Sequence, residues 1–260
     1  KKIILLLKEI EINLSHKLYQ IISSDQLSLK SDLLGLTGIG GFIIFLRILP
    51  KNLNDHQHPI LKNISNLIEE IFLYMNNLMK SNHLQYKLGL LDGVAGFLAS
   101  MDNMRIRKSE ALSVSLTQLI LNAQNENGSW DGEFLSPITG FAHGGSGISA
   151  TLSKVYSVTK SSLVLHAIEN NLTFEKKSFD FKHNVYLDYR YHNTSDQIKS
   201  GYLTNAWCHG APGIILARTI SLYHLHNYSL IDKDYLRLIE IVYNTISKNA
   251  VEQLCCGSEN

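Results

Sequence analysis

Apolar residues recur every three or four positions in several stretches of this chain. Leu6, Ile10, Leu14, Leu18 and Ile21 do so with charges between them, which predicts an amphipathic helix over residues 3–22. The same spacing predicts helices over 62–80 (Ile64, Leu67, Ile68, Ile71, Met75, Leu78), 108–123 (Leu112, Leu116, Leu119, Ile120), 161–172, and 233–248 (Tyr235, Leu238, Ile239, Val242, Ile246). Between them stand segments of a second kind, in which a glycine turn opens a nearly continuous apolar run. Gly38-Ile-Gly-Gly41 leads into Phe-Ile-Ile-Phe-Leu46 and stops at Pro50, and Gly93-Val-Ala-Gly96 leads into Phe-Leu-Ala. Gly144 with Gly147 and Gly210 with Gly213 repeat the pattern, and Gly257 with Asn260 in the second place begins it again.

The unit is therefore Gly-x-x-Gly followed by an apolar helix and then an amphipathic one, with a period of roughly 50 to 65 residues. A helix that is apolar all round must be buried, and an amphipathic helix can cover it. The predicted fold is all-α: an α/α toroid with an inner ring of buried helices and an outer ring of amphipathic ones. The glycine turns then gather at one end of the ring, where their small size lets backbones approach. The stretch from Thr173 to Tyr202 is polar, aromatic and without a clear period, and reads as a long loop of the kind that lines binding sites.

Composition narrows the class without changing this picture. The chain has 260 residues, 45% of them apolar, with 24 basic and 23 acidic side chains and a net charge of +1. No apolar run approaches the ~20 residues of a membrane span, and no charge excess points to nucleic acid. Lys1 and Lys2 precede an apolar run, but Lys8, Glu9 and Glu11 break it and no cleavage site follows, so no secretory signal is read. The three cysteines cannot pair off completely, which fits a reducing, cytoplasmic setting. The chain does not begin with Met and stops inside a repeat, so it reads as one domain over 1–260, a fragment with later repeats missing.

The candidate chemistry lies in front of the repeat glycines. The residue immediately before each runs Thr37, Asp92, His143, His209, Cys256, and the one before that runs Leu36, Leu91, Ala142, Cys208, Cys255. A closed ring would gather Cys208, Cys255 and Cys256 at one rim, near His143 and His209. Three thiols at helix N-termini suit zinc, since the thiolate is the ligand and the helix dipole lowers thiol pKa values. Three protein ligands with an open fourth position is the catalytic zinc pattern. Buried apolar cysteines are the alternative reading. His143 can serve as a general acid or base or simply as a hydrogen-bonded histidine at a helix start, and His209 offers the same choice. Asp92 reads as a helix cap. His56, His58, His183, His192, His224 and His226 fall in irregular or polar stretches and read as solvated.

Gly140-Phe-Ala-His143-Gly144, Trp207-Cys-His-Gly-Ala-Pro-Gly213 and Leu254-Cys-Cys-Gly257 resemble the motifs of the lanthionine synthetase C-like family. They look closest to the C-terminal cyclase domain of the class II bifunctional synthetases, in the subgroup with a Cys-Cys-Gly motif. The resemblance covers almost the whole chain and implies an α/α toroid, incomplete here. It implies zinc held by Cys208, Cys255 and Cys256, with His143 as proton donor. The implied reaction is thioether ring formation: a precursor-peptide cysteine thiolate adds to a dehydroalanine or dehydrobutyrine of the same peptide. The implied partners are a dehydrated precursor peptide with its leader and a dehydratase domain upstream. The sequence departs from the family at two places. An aspartate common four residues before the second repeat glycine is Gly89 here, and an arginine of some members is Thr204.

Two other readings compete. Gln124-x-x-x-Gly128-x-Trp130 matches a motif of triterpene cyclases, which share the toroid architecture, but it occurs once and no Asp-rich acid motif accompanies it. A zinc-stabilised module that binds a peptide or thiol without chemistry needs the same ligands and no proton donor.

Overall fold

The computed structural model describes residues 34–51, 59–80, 86–101, 107–132, 136–182, 185–187, 189, 206–226 and 232–247, with Glu9, Ile12, Asn13 and His16. Those last four are helical and are the described part of the helix expected over 3–22. Eight further helices follow among the described residues: α1 Ile39–Lys51, α2 Pro59–Lys80, α3 Val94–Ser100, α4 Arg107–Asn122, α5 Gly145–Thr159, α6 Ser162–Lys177, α7 Ala211–Leu225 and α8 Asp232–Ser247. The odd-numbered helices are the ones opened by glycine turns. They neighbour one another in series, α1 on α3, α3 on α5 and α5 on α7. The even-numbered helices lie behind them, with α2 on α4 and α4 on α6. This double layer is the arrangement of an α/α toroid.

The outer helices bury the faces that the period predicted. Leu67, Ile68, Ile71, Phe72 and Met75 of α2, and Leu112, Leu116 and Ile120 of α4, are all in the main core, each contributing about 1.5–3 kcal/mol by leaving water. On α8 the buried face is Leu238 and Ile241, with Val242 packed against it, whereas Ile239 is exposed. The inner helices are only partly buried, since Phe45 and Ile48 of α1 and Leu216 and Tyr223 of α7 are exposed, and α5 is not apolar all round. It buries Ser146, Ser149, Thr151 and Ser153. Ser153 Oγ donates to the Ser149 carbonyl at 2.8 Å and Thr151 Oγ1 to that of Gly147 at 3.2 Å. Small residues that satisfy their hydroxyls one turn back can take a buried helix face.

The repeat glycines have a common cause. A Cβ at the second glycine of a unit would collide with a carbonyl six residues earlier: Phe141 for Gly147 and Trp207 for Gly213. The turn folds tightly back on the helix it starts, and only glycine fits.

The described start of the stretch 173–202 is regular structure rather than the expected loop. α6 runs on to Lys177, and β1 (Phe179–Asp180) pairs antiparallel with β2 (Val185–Tyr186) in the register Phe179↔Tyr186. The Arg237 guanidinium of α8 lies over Phe179 and Phe181 at 5.2 and 5.0 Å, which ties this hairpin to the outer layer.

The Gln124–Trp130 motif is a structural brace. Gln124 Nε2 donates to the carbonyls of Gly128 (3.0 Å) and Ala167 (2.8 Å), and the fully buried Trp130 donates its indole N–H to Ile120 at 2.8 Å. These bonds join the end of α4 to α6. Among the described residues no helix is long and apolar enough to cross a membrane.

Candidate functional site

The turns that open the inner helices are stitched together edge to edge. The Thr37 N–H donates to the Leu91 carbonyl (2.9 Å), Leu91 N–H to Ala142 (2.9 Å), and both Phe141 and Ala142 N–H groups to Cys208 (3.1 Å each). Each repeat therefore hands its pre-glycine residues to the next along one rim. Gly140 makes the closest of these approaches possible. Its φ is +106°, and a Cβ there would stand 2.7 Å from the Cys208 carbonyl oxygen and the His209 Cα.

The rim brings the residues that directly precede the glycines into one row. His143 Nδ1 lies 3.1 Å from Asp92 Oδ1, and Lys87 Nζ lies 3.3 Å from Asp92 Oδ2. The His143–Asp92 approach is short in distance but poorly aligned for a hydrogen bond, so the attraction is chiefly one of charge when the imidazole is protonated. The His143 and His209 rings stack at 5.9 Å with 27° between their planes. Asp92, His143 and His209 thus stand side by side on consecutive repeats.

Asp92 does not cap α3, contrary to the sequence reading. The N-cap is Gly93 and no side chain caps it. The carboxylate turns instead toward His143 and Lys87. Burial pushes its pKa up, but the imidazole and the ammonium outweigh that and hold it below the ordinary value of 3.8. The sign follows: the folded state favours the carboxylate. The stabilisation is complete above the ordinary value and is lost as pH falls through the folded value below it. Asp92 is consequently an anion throughout the neutral range.

A cleft of about 250 Å³ opens beside this pair, lined by Tyr86, Lys87, Leu88, Gly89, Asp92, Ala123, Asp131, Gly132 and His143. Sequence reasoning found His143 and missed Asp92, Lys87 and Tyr86 as neighbours. The available signal was the repeat position, since Asp92 is to its glycine what His143 is to the next. His224, read as solvated, is half-buried in the last turn of α7. Burial first, then Lys154 and His226, hold its pKa below the ordinary 6.5.

Cys208 is 3% exposed, packed with Ala142 and Ala206 in the turn that starts α7. Its sulfur is joined in a disulfide. Cys255 and Cys256 lie outside the described residues, as does Thr204. Among the described residues no group of three or more His, Cys, Asp or Glu side chains is placed to hold a metal. A disulfide sulfur is no zinc ligand, and Cys208 would hold zinc only as the reduced thiolate.

The sequence model of the lanthionine synthetase C-like protein family matches residues 5–258. Among solved structures the chain is similar to nisin cyclase, at 18% identity over 95% of this chain and 76% of that one, with a TM-score of 0.48. No curated protein matches the chain.

Proposed function

Since the chain belongs to the lanthionine synthetase C-like family, we propose that it is a peptide cyclase forming thioether rings in a dehydrated precursor peptide. The observation that carries this is the Asp92–His143 pair on the rim of a cleft, one repeat away from Cys208. The cysteine sulfur of the peptide bonds to the β-carbon of a dehydroalanine or dehydrobutyrine, and the carbon–carbon π electrons move onto the α-carbon and its carbonyl. The protonated His143 imidazole gives its proton to the α-carbon. The proton that the thiol loses on attack goes to solvent, and solvent returns one to His143, so the net change is addition of S–H across the double bond. Asp92, 3.1 Å from Nδ1, holds the imidazole at the cleft. His209, stacked on His143, limits where that ring can turn.

Zinc is the metal this site would take, held by Cys208, Cys255 and Cys256. When bound, it would keep the substrate thiol deprotonated near neutral pH. One feature supports the ligand set. The hydrogen-bond stitching joins residues two before the repeat glycine, Leu91 to Ala142 and Ala142 to Cys208, and Cys255 is next in that series. The Cys-Cys pair is the feature that favours the class II subgroup, with a dehydratase domain and a leader-bearing precursor as partners.

Zinc analysis of the full-length protein, purified under reducing conditions, tests the ligand set. The expected result is about one zinc per chain, lost or sharply reduced in both Cys208→Ala and Cys256→Ala. A metal-replete protein with no zinc would return the cysteines to the core and leave only the toroid.

A further inference from the structure

The cleft at His143 is small, about 250 Å³, below the usual ~300–1,000 Å³ of a ligand pocket. A peptide reacting there must leave it on at least one side. A second, more open groove of about 540 Å³ adjoins the cleft, and Tyr86 and Ala123 line both. From Ala123 the groove follows the outward face of α4 past Asn122, Gln118, Ser115 and Val114. We propose that this groove is the track on which the substrate peptide lies beyond its reacting residues. The proposal rests on the cyclase reading above.

Its length and lining fit a peptide in extended form. Asn122 to Val114 is eight residues, about 12 Å along a helix, or three to four residues of extended chain at ~3.3 Å each. None of the described lining residues is charged, so the track suits a neutral backbone rather than an acidic or basic segment. Val114 is 58% exposed and offers apolar contact. Gln118 Nε2 donates to Asn122 Oδ1 at 2.7 Å, which fixes both amides. Among the described residues the side-chain Gln118 Oε1 and Asn122 Nδ2 have no further protein partner. The pair thus presents an acceptor and a donor on one face, as a passing peptide unit requires. The ordering of both amides before binding reduces the entropy lost on association.

The test uses the full-length enzyme and two synthetic peptides. One carries a cysteine and a dehydroalanine with about eight further residues on each side, enough to span the three to four residues of track. The other is cut at the ring. The variants are Gln118→Ala and Val114→Glu, singly and together, with thermal melts to confirm folding. The double variant is expected to raise KM for the long peptide about tenfold with kcat unchanged, and to leave the short peptide unaffected. An unchanged KM for the long peptide would overturn the track while leaving the cyclase reading intact. Anisotropy of the labelled long peptide separates the remaining cases. If the wild type closes no ring on either peptide but the variants still weaken binding, the cyclase reading fails and the track stands. If binding is also unaffected, both fall.

Discussion

Arg218→Met is expected to destabilise the fold by about 3–5 kcal/mol, because it leaves a buried carboxylate without its counter-charge. The Arg218 side chain of α7 is 3% exposed and that of Glu175 on α6 is 0% exposed. Arg218 Nη2 meets Glu175 Oε2 at 2.5 Å, and Ser146 of α5 donates its hydroxyl to Oε1. Three helices, two inner and one outer, are therefore pinned at one carboxylate just inside the rim. A charge left alone in that setting is expensive, whereas an apolar pair of similar volume need not be. Glu175→Gln combined with Arg218→Met should therefore recover most of the loss. Urea unfolding of the four proteins measures it. A single-variant loss below about 1 kcal/mol, or losses that simply add, would put the pair in the class of ion pairs that contribute little. Recovery in the double variant would mean that the pair specifies how α5, α6 and α7 register more than it stabilises them.

That lock was not legible in the sequence, and the reason is physical. Glu175 and Arg218 are 43 positions apart, each a residue type that ordinarily faces solvent, and only the packing of α5 against both α6 and α7 brings them together. Features that repeat were legible. The apolar periods of α2 and α4 predicted their buried faces, because a helix covering a core has only one face to bury. The glycine pairs predicted where the inner helices begin, because the turn before each leaves no room for a Cβ. α5 was read too simply as apolar, since serines and threonines that bond back to their own helix count as core without looking hydrophobic. The row Asp92, His143, His209 was visible as a column of the repeat. What the column could not give was the direction of the Asp92 side chain. A lone aspartate before a helix is most often a cap, and the distinction lies in geometry that spans two repeats. Cys255 and Cys256 are legible only as sequence, since they fall outside the described residues.

His143→Ala is expected to lower the rate of ring formation on a dehydrated peptide by about 10²–10⁴-fold, the usual worth of a positioned general acid. Zinc content should be unchanged, because the imidazole is assigned the proton and not the metal. An undiminished rate would remove His143 from the chemistry and favour a site that merely holds peptide and thiol. Asp92→Asn should cost less, roughly ten- to a hundredfold, the range seen when a carboxylate that orients a histidine is removed. The loss should fall in kcat and not in KM, since Asp92 acts through His143 rather than on substrate. It should also persist across the neutral pH range, where Asp92 is always ionised. The departure at Gly89 supplies a sharper test. A Cβ at Gly89 would come 2.5 Å from Asp92 Oδ1 and 3.1 Å from the His143 Cα. The carboxylate of Asp92 thus occupies the space that a side chain at 89 would claim. Asp92→Gly together with Gly89→Asp should therefore restore much of the rate that Asp92→Gly alone removes. Restoration would establish that the site needs a carboxylate facing Nδ1 and is indifferent to which turn residue supplies it. Failure of the swap in a correctly folded protein would mean that the backbone around Asp92, and not its charge, holds His143 in place.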